Sequence, residues 1–156
     1  MKCLNCGSDM QQEKGTHRYC ANDGLEVILE GVTISKCTKC KEESVSISQI
    51  ASLNKKLAIA ISRKPHKLSN GEIRFLRKYL GWSGVDFASH FGVAPETVSR
   101  WETGAKKMGS SSERLLRMFA IHLSPVDEYP LPQEISDEDT NEILTISLTD
   151  DWRVSA

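Results

Sequence analysis

The chain has 156 residues, 39% hydrophobic and 26% charged, with five cysteines and a formal net charge of −1. That length holds one or two small domains, and no apolar run approaches the ~18 residues that span a bilayer. The start, Met1-Lys2-Cys3, runs straight into a cysteine pair, which predicts no signal peptide and a cytoplasmic location, where spaced cysteines favour metal over disulfides.

The first segment, to about residue 44, is polar and rich in turn residues. It carries two Cys-x-x-Cys pairs, Cys3 with Cys6 and Cys37 with Cys40. The two-residue spacer lets both sulfurs of a pair face one cation, and two such pairs predict a single tetrahedral Zn2+ site with Zn–S bonds of ~2.3 Å. Four thiolates close the coordination sphere, so the metal is structural, with ~10–16 kcal/mol of binding free energy available to folding. Cys20 is left over and reads as a free buried thiol. A site of three cysteines with His17 is the alternative. Between the pairs, Glu26 to Ile34 is rich in β-branched residues and interrupted by Gly31; it reads as two short strands or one kinked strand. A unit this small cannot bury enough apolar surface to stand alone, and a metal staple explains how it folds.

From Ile47 to Arg63 apolar residues recur at helical spacing, with Ser46 or Ser48 available as a cap. Pro65 breaks the pattern, so a linker is expected at about 63–68. Ser69-Asn70-Gly71-Glu72 is a capping box that opens a helix carrying Ile73, Leu76 and Leu80, ended by Gly81. Ser83 caps a second helix with Val85, Phe87 and Ala88, closed by Gly92. Pro95 suits the first turn of a third, anchored by Val98 and Trp101 and stopped by Gly104. Ser110 to Ser112 can cap a last helix with Leu115, Leu116, Met118, Phe119 and Leu123, before Pro125.

Charge is unevenly spread along this order. Residues 55–122 hold thirteen Lys/Arg against five Asp/Glu, a net of +8, and residues 123–156 hold one against nine, a net of −8. The basic middle predicts a polyanion partner. Its third helix presents Glu96, Thr97, Ser99 and Arg100 outward. Arg100 can donate two hydrogen bonds to guanine, and Glu96 can accept from cytosine or orient Arg100. Thr97 and Ser99 can reach phosphate or base edges, and Lys106 and Lys107 can bind backbone phosphates. In the tail, the stretch 125–140 reads as disordered, and Glu142 to Leu148 is strand-like, able to add to a sheet edge on this chain or another.

Leu80-Gly81-Trp82-Ser83 through Val93, then Thr97-Val98-Ser99-Arg100-Trp101-Glu102 and Gly104, resemble the Xre/Cro-repressor type of helix-turn-helix. Met1 to Cys6, Val27 to Gly31 and Cys37 to Glu43 resemble a YgiT-type zinc finger. In this order, over about residues 1–123, the two resemble the MqsA family of bacterial antitoxins. The resemblance implies a homodimer formed through the helix-turn-helix domain, which binds a palindromic operator in its own promoter and represses it. It also implies that the zinc domain binds and neutralises a toxin, typically an mRNA-cleaving ribonuclease. The carried-over metal ligands are Cys3, Cys6, Cys37 and Cys40, and the base-reading positions are Glu96 and Arg100. Gly84 stands where this class often has a phosphate-binding Gln, Glu96 replaces the usual neutral amide, and the acidic tail aligns with nothing in the family.

The expected protein is therefore α+β. Residues 1–63 form a small mixed zinc-binding domain with a trailing helix, 64–124 an all-α helix-turn-helix domain, and 125–156 an acidic tail. A free-standing zinc-containing regulator without a toxin is the alternative. An enzyme is not expected, because a cage of four cysteines has no open position and no nucleophile–base pair or phosphate-binding loop stands in the sequence.

Overall fold

The computed structural model describes residues 1–21 and 24–123, together with two short strands, 146–148 and 152–154. The expected architecture is present: a three-stranded antiparallel sheet is followed by five helices, in an α+β arrangement. The expectation of disorder over 125–140 lies outside the described residues, as does the side chain of Cys20. No helix among the described residues is long and apolar enough to cross a membrane.

The sheet has the order β1 (Met10–Ala21), β2 (Leu25–Cys37), β3 (Glu43–Ser46), with β2 central. The stretch around Gly31 is one continuous strand, not two. Gly15 pairs with Val32 and Thr16 with Glu30, so Gly31 is an extra residue, and its φ of 72° is the conformation that a glycine bulge requires. On β1, a Cβ at Gly15 would lie 2.7 Å from Ile34 Cδ1, so a larger residue there would require the end of that side chain to shift. Strand β1 was not foreseen. Its run of Gln, Glu, Lys, Thr, His and Arg has no apolar alternation; pairing with β2, not its own pattern, makes it a strand.

The helices are α1 (Ile50–Arg63), α2 (Asn70–Tyr79), α3 (Gly84–Phe91), α4 (Pro95–Thr103) and α5 (Ser110–His122). Helix α1 starts three residues later than the spacing predicted. Its N-cap is Gln49, left-handed at φ 54° and without a side-chain bond, so neither Ser46 nor Ser48 caps it. The capping box on α2 is formed: the Glu72 amide donates to Ser69 Oγ at 3.2 Å and the Ser69 amide to Glu72 Oε2 at 2.7 Å. Gly81 at φ 76° closes α2, with the Gly81 amide on the Lys78 carbonyl and the Trp82 amide on that of Arg77. Helix α3 has a second box, Ser83 with Asp86. Gly109 rather than a serine caps α5.

Leu76, Phe87, Val98 and Leu116 are the largest fully buried apolar side chains of the helical core, with Ile73, Trp101, Met108 and Ala120 around them. Ala58 and Ile61 of α1 belong to the same core, and α1 packs against α2 and α5. Leu25 of β2 is also buried in it, so the sheet leans on the helices through that end. Val85, Leu115 and Met118 were expected among the apolar packing residues. They stand exposed, at 66%, 38% and 58%.

The stretch between α1 and α2, expected as a linker, is held by α5. Arg117 donates to the carbonyls of Ser62, Lys64 and His66, and its Nη2 lies 2.6 Å from Glu113 Oε1. The same Glu113 oxygen accepts the Leu68 amide, and Lys67 Nζ reaches the Met108 carbonyl. A further strand pair, Ile146–Leu148 (β4) with Trp152–Val154 (β5), lies in the acidic tail. The strand-like reading of that region holds over 146–148, and the strand's partner is within the tail.

Candidate metal centre and nucleic-acid interface

The four paired cysteines converge. Their sulfurs all lie within 4.8 Å of one another, with Cys3 Sγ 3.5 Å from Cys40 Sγ and Cys6 Sγ 3.4 Å from Cys37 Sγ. A tetrahedral cage with ~2.3 Å metal–sulfur bonds has edges of about 3.8 Å, so the donor set fits a thiophilic cation. The two pairs are built alike. In the first, the Cys3 amide donates to the Ser8 carbonyl and Gly7 adopts φ 72°; in the second, the Cys37 amide donates to the Glu42 carbonyl and Lys41 adopts φ 63°. Each left-handed residue follows the second cysteine and turns the chain back beneath the sulfurs.

Electrostatics agree with a cation site. Hydrogen bonds from Ser8, through its side chain and its backbone, lower Cys6 to about 6. The amides of Cys40 and Lys39 lower Cys37. At Cys40 the Glu42 amide favours the thiolate, but burial and the three neighbouring sulfurs outweigh it and push the thiol up to about 12. Four sulfurs this close cannot all ionise against one another; a bound divalent ion removes that repulsion.

The candidate nucleic-acid surface centres on α4 (Pro95–Thr103). Helices α3 and α4 are joined by three residues, Gly92 to Ala94, with Gly92 left-handed at φ 62°. Val98 and Trp101 bury one face of α4, leaving Glu96, Ser99 and Arg100 exposed and Thr97 half-buried on the other. The Ser99 and Arg100 carbonyls both accept from Thr103 Oγ1. Past Gly104, the Lys106 amide donates to the Arg100 carbonyl at 3.1 Å, which folds the lysine-bearing loop back beside Arg100. Arg100, Lys106 and Lys107 form no ion pair among the described residues, and neither do Glu96 and Arg100 with each other.

A model of the antitoxin component of bacterial toxin–antitoxin systems, MqsA, matches residues 1–129. The chain belongs to the MqsA antitoxin family. No curated protein matches it. As a member, it is an antitoxin component, from a family of regulators rather than catalysts, and a toxin is its implied partner. Among the described residues, the MqsA head thus joins Cys3, Cys6, Cys37 and Cys40 into one cluster, and the helical part brings Arg100 and Lys106 together. The sequence reading missed what fixes α4 in place. Arg77 of α2 grips buried Glu102 with two bonds, Nε to Oε1 at 2.5 Å and Nη2 to Oε2 at 3.1 Å. Arg77 also donates to the Trp82 carbonyl, and Arg74 donates to the backbone carbonyl of Glu102. The available signal was the acidic residue of the Trp101-Glu102-x-Gly104 ending, which needs a cation once its tryptophan is buried.

Proposed function

We propose that this MqsA-family chain neutralises a ribonuclease toxin through its zinc-bound head and, as a homodimer, represses its own operon by placing α4 in the major groove of a palindromic operator. The observation that carries the DNA-reading half is the geometry around Arg100. A helix held from behind by Val98, Trp101 and the Arg77–Glu102 pair presents a guanidinium with no ion pair among the described residues, with the Lys106 backbone bonded to the Arg100 carbonyl. In this helix-turn-helix reading Arg100 donates to guanine O6 and N7, Glu96 accepts from cytosine, Thr97 and Ser99 reach base edges or phosphate, and Lys106 and Lys107 contact phosphates. The Cys3, Cys6, Cys37 and Cys40 set would hold Zn2+, a closed structural ion that shapes the head. The exposed Leu115 and Met118 on α5 supply apolar surface for the homodimer contact. The protein acts in the cytoplasm, where its operator and its toxin are.

The test uses duplexes from the chain's own promoter. Arg100→Ala is expected to weaken operator binding by about 1–3 kcal/mol and to relax choice at one base pair of each half-site, read by anisotropy across a set of single-base variants. Unchanged base preference would remove Arg100 from the reading. Co-purification with the product of the adjacent gene checks the toxin half, with mass spectrometry identifying the partner.

A further inference from the structure

We infer that the acidic tail, residues 124–156, is an internal polyanion that docks on the basic face formed by Arg100, Lys106 and Lys107 and competes there with DNA. This deepens the DNA-binding reading of the same face and rests on it.

The charge ledger within the helical part leaves several cations free of ion pairs among the described residues, Lys55, Lys56, Arg63 and Arg114 as well as Arg100, Lys106 and Lys107, and the last three are singled out by the DNA-binding reading. Of the five acidic residues from 55 to 122, Glu72 binds Lys64 and caps α2, Asp86 caps α3, Glu102 is gripped by Arg77, Glu113 binds Arg117, and Glu96 stands exposed on α4 itself with no ion pair among the described residues. All of those carboxylates except Glu96, with their cations, are committed inside the fold. Arg100, Lys106 and Lys107 are exposed and pair with no acid among the described residues. The nine carboxylates beyond residue 122, against a single Arg153, are the chain's one large reserve of the opposite sign.

Position and length favour the docking. The tail leaves from the end of α5, a helix of 13 residues and so about 20 Å long. A chain of n residues reaches up to ~3.3–3.6 Å per residue, so the 33 residues from Ser124 to Ala156 can cross a face of that size several times over. The family match ends at residue 129, so all of these carboxylates but Asp127 and Glu128 lie outside the part shared with other members. Tethering also keeps the carboxylates at high effective concentration, which an untethered peptide lacks. DNA must then displace the tail before it gains the face, and the tail's counterions partly replace those that DNA would release.

The experiment keeps the full chain. Six acids are neutralised together, as Asp137→Asn, Glu138→Gln, Asp139→Asn, Glu142→Gln, Asp150→Asn and Asp151→Asn, and duplex binding is measured by anisotropy from low to high salt. The neutralised chain is expected to bind at least tenfold more tightly at low salt, with a steeper salt slope, and to converge with the native chain at high salt. In DNA-free protein, the backbone amide NMR signals of Arg100, Lys106 and Lys107 are expected to differ between the two chains. Equal DNA affinity with unmoved signals overturns the inference. If neither chain binds DNA, the operator reading falls, and the NMR comparison alone decides whether the tail docks. A tail that instead pairs with a second copy would show as a concentration-dependent signal shift and would overturn the intramolecular form.

Discussion

Gly7 and Lys41 occupy the same place in the two knuckles, one residue after the second cysteine, at φ 72° and 63°. Glycine adopts that conformation freely, whereas a side chain raises its energy by ~1–2 kcal/mol. Nothing lies within 4 Å of a Cβ added at Gly7, so Gly7→Ala carries the backbone term alone. It is expected to weaken metal retention by about that amount, measured by competition with a chromogenic chelator, and Lys41 shows that the fold tolerates such a residue. His90 gives a second residue-scale expectation. Burial lowers its pKa, only partly opposed by Asp86. From pH 6.5 down to the lowered value the unfolded chain binds more protons than the folded one, so stability is full above 6.5 and falls as pH drops through that window. Asp86, lowered by its bonds to Ser83, acts in the same direction at more acid pH, its share being lost as pH falls through its own folded value. Chemical denaturation at about pH 7.5 and about pH 5.5 is expected to show a loss for the native chain that is smaller for His90→Gln.

At the scale of elements, α5 does more than fill the core. Arg117, 17% exposed, bonds three carbonyls of the preceding connection and Glu113, itself 9% exposed. Removing one partner of so buried a pair leaves the other charge and the carbonyls unsatisfied, at ~3–5 kcal/mol. Arg117→Ala is therefore expected to lower the urea midpoint and to raise amide exchange over residues 62–68. These features also show where the sequence was legible. Capping boxes, glycine stops and cysteine spacing are local, with the partners three or four residues apart, so α2, α3, α4 and the two metal pairs could be read directly. The bonds from Arg117 to backbone carbonyls join residues 51 to 55 apart and the Arg77–Glu102 pair residues 25 apart; no local pattern announces them. Strand β1 escaped for a related reason, since its polar residues take their conformation from β2. At α1 and α5, serines suited to capping stood close by, but Gln49 and Gly109 are the N-caps and neither supplies a side-chain bond.

For the molecule as a whole, stability is divided unequally between sheet and helices. The helical part shares a continuous core of large apolar side chains. Among the described residues, and away from the Leu25 end, the head buries little besides Leu29, Ser35 and two cysteines. On the zinc-bound reading proposed above, the fold of the head leans on the metal. Stripping the ion with a strong chelator is expected to abolish exchange protection in β1 to β3 while leaving α2 to α5 protected, read by hydrogen exchange with mass spectrometry. Loss of protection throughout would show instead that the two parts unfold as one.

Arg117's grip on the chain after α1 decides where the antitoxin can bend. A rotation of the sheet cannot be taken up at Pro65, because the residues on either side are already stapled to α5. It falls on positions 47–49, between the last residue of β3 and the first of α1, and it must also draw Leu25 out of its seat among the helices. Whoever wishes to lengthen the tether should insert residues there. The same insertion at Pro65 would prise open the fold it was meant to loosen.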